Sequence, residues 1–72
     1  MREIDKAVNL LTPLLEGMAK DRDDSVKVYT CSHTGSNSIV VIINECTYEV
    51  DVTAENMRSM IKSVIDAVAL KF

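Results

Sequence analysis

A chain of 72 residues forms one domain, and at that size only about 60–65% of the unfolded surface can be buried. An apolar fraction of 47% with one Pro and two Gly excludes a disordered chain. The net charge of −3, with eight Lys and Arg scattered singly, opposes phosphate-backbone binding, which depends on clustered cations. No apolar run approaches the roughly 18 residues of a membrane span, and Met1-Arg2-Glu3-Ile4-Asp5 lacks the layout of a signal peptide. The expected compartment is the cytoplasm.

The first element is helical. Ile4, Ala7, Val8, Leu11, Leu14, Leu15 and Met18 recur at steps of three and four, one amphipathic stripe with Leu10 at its edge. Pro13 falls on the polar side, so the reading is one helix bent near Asn9 to Pro13. Two shorter helices, the second capped by Thr12, are the alternative. The wholly polar stretch Lys20-Asp21-Arg22-Asp23-Asp24-Ser25 ends the helix as a linker.

From Val26 the period becomes two. Val26, Val28 and Thr30 share one face and Lys27, Tyr29 and Cys31 the other, as in a half-buried strand. Ser32-His33-Thr34-Gly35-Ser36-Asn37 reads as a polar loop. Ser38-Ile39-Val40-Val41-Ile42-Ile43 has the composition of a central strand. Asn44-Glu45 makes a tight turn without the Gly of a strong hairpin signal. Thr47 to Val52 alternates again, with Tyr48, Val50 and Val52 inward and Thr47, Glu49 and Asp51 outward.

Thr53 is the expected N-cap of a second helix, with Glu55 in its first turn. Met57, Met60, Ile61, Val64, Ile65, Val68 and Phe72 form its apolar stripe. The predicted fold class is therefore α+β, a single domain over residues 1–72 in the order α-β-β-β-α. A three-stranded antiparallel meander carries two parallel helices on one face.

Few residues point to chemistry. A nucleophilic site would recruit Ser32, Ser36 or Cys31 with His33, but a polar loop accounts for all of them and no enzyme is expected. Cys31-x-His33 with Cys46 lacks a fourth ligand for structural zinc. The meander sets the two cysteines roughly 15 Å apart, beyond disulfide reach, so free thiols are expected. Asp21-x-Asp23-Asp24 lacks the Gly and Glu of a calcium loop. No cofactor and no metal site is expected.

The sheet offers more. With helices on one face, either Val40 and Ile42 or Ile39, Val41 and Ile43 must point away from them, beside Tyr29 and Lys27. Apolar side chains and a tyrosine in the open mark a contact surface. The linker and Glu45 fall at one end of the sheet, and Glu49 and Asp51 extend the negative charge up its outer face, an edge suited to a basic partner. The candidate partner-binding residues are Tyr29, Val40, Ile42, Glu45, Glu49 and Asp51.

Two resemblances add expectations. The order helix, three strands, helix is similar to the double-stranded-RNA-binding domain. That family reads RNA through a Pro- and His-containing loop and a Lys-rich last helix. Here the loop has His33 without a Pro, and the helix opens Ala54-Glu55-Asn56-Met57-Arg58. Ser25-Val26-Lys27-Val28, Ser36-Asn37-Ser38-Ile39, the Asn44-Glu45 turn and the final helix resemble the small phage anti-CRISPR proteins of αβββα type, which inhibit type II nucleases as acidic decoys. Glu45 matches the acidic turn of that family, whose second acidic loop has no counterpart up to Phe72. The expected function is a non-enzymatic binding protein, acting as a homodimer or on a host protein, with a phage or mobile-element inhibitor as its concrete form. The alternative is nucleic-acid or small-nucleotide binding through the Ser/Thr/Asn/Gly loop around His33.

Overall fold

A computed structural model describes residues 2–71, so Phe72 and Met1 lie outside the described residues. The order is α1 (Glu3–Asp21), β1 (Val26–His33), β2 (Ser36–Ile43), β3 (Cys46–Asp51), α2 (Met57–Val68) and a 3₁₀ turn, Ala69–Lys71. The strands pair antiparallel in the order β1-β2-β3. This is the predicted α+β meander, with both helices parallel on one face.

α1 is one continuous helix of 19 residues, which removes the two-helix alternative. Pro13 is exposed, on the solvent side of the helix. Its buried stripe is Ile4, Ala7, Leu11, Leu15 and Ala19. Leu14, which the periodicity put on that stripe, is 47% exposed beside Leu10 at 54%. Ala19 is buried instead, at the C-terminal end of the helix.

The helix ends later than its composition implied. Asp23 is left-handed, with φ 58°. The Asp24 N–H donates to the Ala19 carbonyl at 2.8 Å and the Asp23 N–H to Lys20 at 3.2 Å. These are the two bonds of a Schellman cap, with Asp in the place usual for Gly.

Side-chain alternation in β2 sets the layering. Ile39, Val41 and Ile43 join Leu11 and Leu15 of α1 and Met60, Val64 and Val68 of α2 in one core. Val40 and Ile42 therefore face away. Tyr48, Val50 and Val52 are inward as expected, and Val52 is fully buried just past the end of β3.

The first hairpin is tighter than the sequence implied, and the second is the tight Asn44-Glu45 turn expected. Ser32 and His33 belong to β1 and Ser36 and Asn37 to β2, paired as Ser32↔Asn37 and His33↔Ser36. Only Thr34 and Gly35 remain as a turn, with Gly35 at φ 79°. At the second hairpin Asn44 and Glu45 have φ 48° and 75°, the double positive φ of a type I′ turn, which matches strand twist.

The N-cap of α2 is Asn56, whose side chain accepts from the Ser59 N–H at 2.9 Å; Thr53 does not cap it. Thr53 lies three residues earlier, where its hydroxyl oxygen accepts from the Asn37 N–H at 3.0 Å. It ties the end of β3 to the start of β2. Glu55 precedes the helix and accepts from the Ser63 hydroxyl at 2.9 Å. Among the described residues no helix is long and apolar enough to cross a membrane.

Candidate functional site on the outer sheet face

The face turned away from the helices is built in rows by strand register. Lys27, Ile42 and Thr47 form one row, Tyr29, Val40 and Glu49 the next, and Cys31, Ser38 and Asp51 the third. His33 and Ser36 close the β1–β2 end. Each row takes an apolar or small residue from β2 and longer, mostly polar ones from the flanking strands.

That division explains the exposures. Val40 is only 6% exposed although no helix covers it, while Tyr29 is 46% exposed. Side chains on adjacent strands stand about 4.5–5.5 Å apart at Cβ, so Tyr29 and Glu49 close over the short Val40 from both sides. Ile42, between Lys27 and Thr47, is half-buried. The apolar surface presented outward is therefore the tyrosine ring with the edge of Ile42.

Of the six candidate residues, Tyr29, Val40, Ile42 and Glu49 are brought together. Glu45 and Asp51 lie apart from them, toward opposite ends of β3. Glu45 lies with the linker, because Asn44 stitches that end of the sheet. The Asn44 Oδ1 accepts from the Ser25 N–H at 2.9 Å, and its Nδ2 donates to the Asp24 carboxylate at 2.6 Å. Asp21, Asp23, Asp24 and Glu45 thus gather at one end, with Lys20 and Arg22 beside them. A shallow depression of about 440 Å³ between Glu16, Lys20, Asp23, Asp24 and Val26 opens at this end.

Asp51 is turned into the β3–α2 connection. Its Oδ1 accepts from the Thr53 N–H at 2.9 Å. Hydrogen bonds from the Thr53 side chain and then from its backbone N–H hold the carboxyl below its usual range. Asp51 therefore shapes a turn, and the continuous acidic stripe expected along the outer face is broken into Glu45 at one end and Glu49 in the middle.

At the β1–β2 end the polar groups engage one another. The Ser32 hydroxyl donates to Asn37 Oδ1 at 3.1 Å, and the Arg2 guanidinium reaches the Ser32 oxygen at 3.5 Å. The loop of the alternative reading is thereby reduced to a two-residue turn, with Ser32 and Asn37 bonded to each other behind it.

Both cysteines are free. Cys31 pairs with Ser38 and Cys46 with Ile43, five residues apart along β2, which is the physical reason they cannot meet. No family model, curated protein or solved structure matches the chain. The functional reading therefore rests on the surface alone.

One neighbour escaped the sequence reading. Cys31 Sγ lies 3.2 Å from His33 Nε2, and a Glu49 carboxylate oxygen lies within 4.8 Å of both. The i, i+2 spacing of Cys31 and His33 in a strand was the available signal. Glu49 could be added only once the register was known.

Proposed function

We propose that this chain is a non-enzymatic protein-binding module that works through the outer face of its sheet, and that the first occupant of that face is a second copy of the chain. The observation that carries the reading is the placement of Tyr29, an exposed aromatic beside Ile42, on a face whose charges are sorted by strand. Lys27 lies on the β1 side; Glu49, with Glu45 at the strand end, lies on the β3 side. A twofold axis parallel to the strands lays β1 of each copy over β3 of the other, Lys27 over Thr47 of the acidic strand and Tyr29 over Glu49 beside Val40. The face is self-complementary in the manner an isologous dimer requires.

Area limits the strength of this contact. Three strands about 4.8 Å apart, two of eight residues and one of six, present roughly 350 Å² per copy, or about 700 Å² for a pair. Stable interfaces bury about 1,200–2,000 Å². Self-association is accordingly weak and concentration-dependent, and the face remains open to exchange for another protein. A host protein with a basic surface is the partner suited to the acidic end, which makes a phage or mobile-element inhibitor the concrete form of this function. Glu45 stands at that end at φ 75°, where Gly is the unstrained choice.

Charge exchange tests the arrangement. Sedimentation velocity in buffer containing a metal chelator is expected to show weaker self-association for Lys27→Glu and for Glu49→Lys alone, and recovery in the double variant. Equal behaviour of all four proteins overturns the twofold arrangement.

A further inference from the structure

The outer face also holds three side chains of different ligand chemistry, of which the contact reading uses only Glu49. Cys31 and His33 project from the same side of β1, two residues apart, with Sγ and Nε2 3.2 Å apart. Glu49 reaches them from β3, across β2, and the three ligand atoms all lie within 4.8 Å of one another. The residue of β2 over which they meet is Ser38, paired with Cys31 on one side and Asp51 on the other. Ser38 is small and only 7% exposed, covered by its neighbours on the flanking strands. A larger residue would separate the thiol from the carboxylate.

We propose that Cys31, His33 and Glu49 form a binding site for a borderline-soft divalent transition metal of the Zn²⁺ class, with three protein ligands and a fourth position open to water. Thiolate, imidazole and carboxylate together suit zinc rather than magnesium or calcium, which take oxygen ligands. Tetrahedral zinc with bonds of about 2.0–2.3 Å separates its ligands by roughly 3.4–3.7 Å. The thiol–imidazole distance is already close to that. The carboxylate needs to approach by about 1 Å, which rotation of a long, exposed side chain supplies without moving backbone.

Cys46 was the wrong partner to seek for Cys31 and His33, because it lies at the far end of β2. The three-ligand pattern matches sites that keep an open coordination position rather than closed structural zinc sites. The site forms within one chain, and Glu49 is the residue it shares with the contact face.

Cobalt(II) is the probe, since tetrahedral Co²⁺ bound by thiolate gives a sulfur-to-metal charge-transfer band together with intense visible absorption. Titration into reduced protein is expected to show both, with one Co²⁺ per chain and displacement by Zn²⁺. Cys31→Ser is expected to abolish the charge-transfer band. His33→Ala and Glu49→Gln are each expected to weaken binding by more than about tenfold, as even residues that merely support metal ligands cost 10–100-fold. Cys46→Ser leaves the titration unchanged, and circular dichroism confirms that each variant is folded. A charge-transfer band that survives Cys31→Ser or disappears with Cys46→Ser overturns the proposal. So does unchanged affinity in His33→Ala or Glu49→Gln, a stoichiometry of one metal per two chains, or no band in the wild type.

Discussion

Asn44 and Ser25 are joined by a reciprocal pair of hydrogen bonds: the Asn44 N–H donates to the Ser25 carbonyl at 3.1 Å, and the Ser25 N–H donates to Asn44 Oδ1 at 2.9 Å. This pair fastens the helix–sheet linker to the β2–β3 turn and sets Asp24 and Glu45 at the same end of the molecule. Asn44→Ala removes the side-chain bonds and places a less tolerant residue at φ 48°, and is expected to cost about 1–2 kcal/mol. Asn44→Gly removes the same bonds but relieves the backbone, and is expected to cost less. Thermal melts read the difference, since about 1 kcal/mol shifts the midpoint of a domain this size by roughly 4–8 °C. Equal loss in both variants would mean that the turn conformation is indifferent to residue type.

Two further positions carry a positive φ on a side chain that does not favour it, Glu45 at 75° and Ala54 at 64°. Glycine at either removes the strain of the left-handed region while adding conformational entropy to the unfolded chain, and a net gain of about 0.5 kcal/mol is expected. Urea titration should show a higher midpoint at an unchanged slope. For Glu45→Gly the gain in stability should accompany a loss of binding at the acidic end, whereas Ala54→Gly should leave binding untouched.

The acid limb of stability follows from two carboxyls whose folded pKa is depressed. The side chain of Arg2 donates to Asp5 at 3.1 Å, and Thr53 hydrogen-bonds Asp51. Both lie below the ordinary value of 3.8, so their contribution is present above that pH and is lost as pH falls through the folded values. Asp51→Asn, which can still accept from the Thr53 N–H, should flatten the stability profile below about pH 4 and leave the neutral plateau nearly unchanged. Both carboxyls are solvent-accessible, so the effect is small and reduced by salt.

Much of the fold was legible because each element carries its own period. Steps of three and four gave both helices, alternation gave β1 and β3, and an aliphatic run gave β2. At the first hairpin composition misleads, because polar residues resemble a loop. Ser32, His33, Ser36 and Asn37 are ladder residues of a tight hairpin, stabilised by pairing that composition does not reveal. Thr53 resembles an N-cap but Asn56 is the one that bonds to Ser59, and Leu14 fits the helical period yet sits beyond the reach of the sheet. The outer face was half legible. Its residue types were plain, but which of Val40 and Val41 points outward, and that Glu49 meets Cys31 and His33, depends on register.

Adjacent positions in β2 separate folding from surface. Val41 is fully buried against both helices, whereas Val40 lies under Tyr29 and Glu49 on the open face. Val41→Lys buries an unpaired charge at about 3–5 kcal/mol, comparable with the roughly 4–11 kcal/mol that a domain of this length has in total. Circular dichroism is expected to show Val41→Lys largely unfolded and Val40→Lys folded, since its ammonium can emerge beside Glu49. The reverse result would invert the sheet.

Sedimentation velocity of the wild-type chain across a wide range of protein concentration, set beside Tyr29→Asp, tests the contact surface most directly. Tyr29 is half exposed and outside the core, so the variant is expected to keep its fold. The account predicts a wild-type sedimentation coefficient that rises with concentration toward that of a dimer and a Tyr29→Asp protein that stays monomeric throughout. A wild type that remains monomeric at the highest concentration, or a variant that associates equally well, would contradict it.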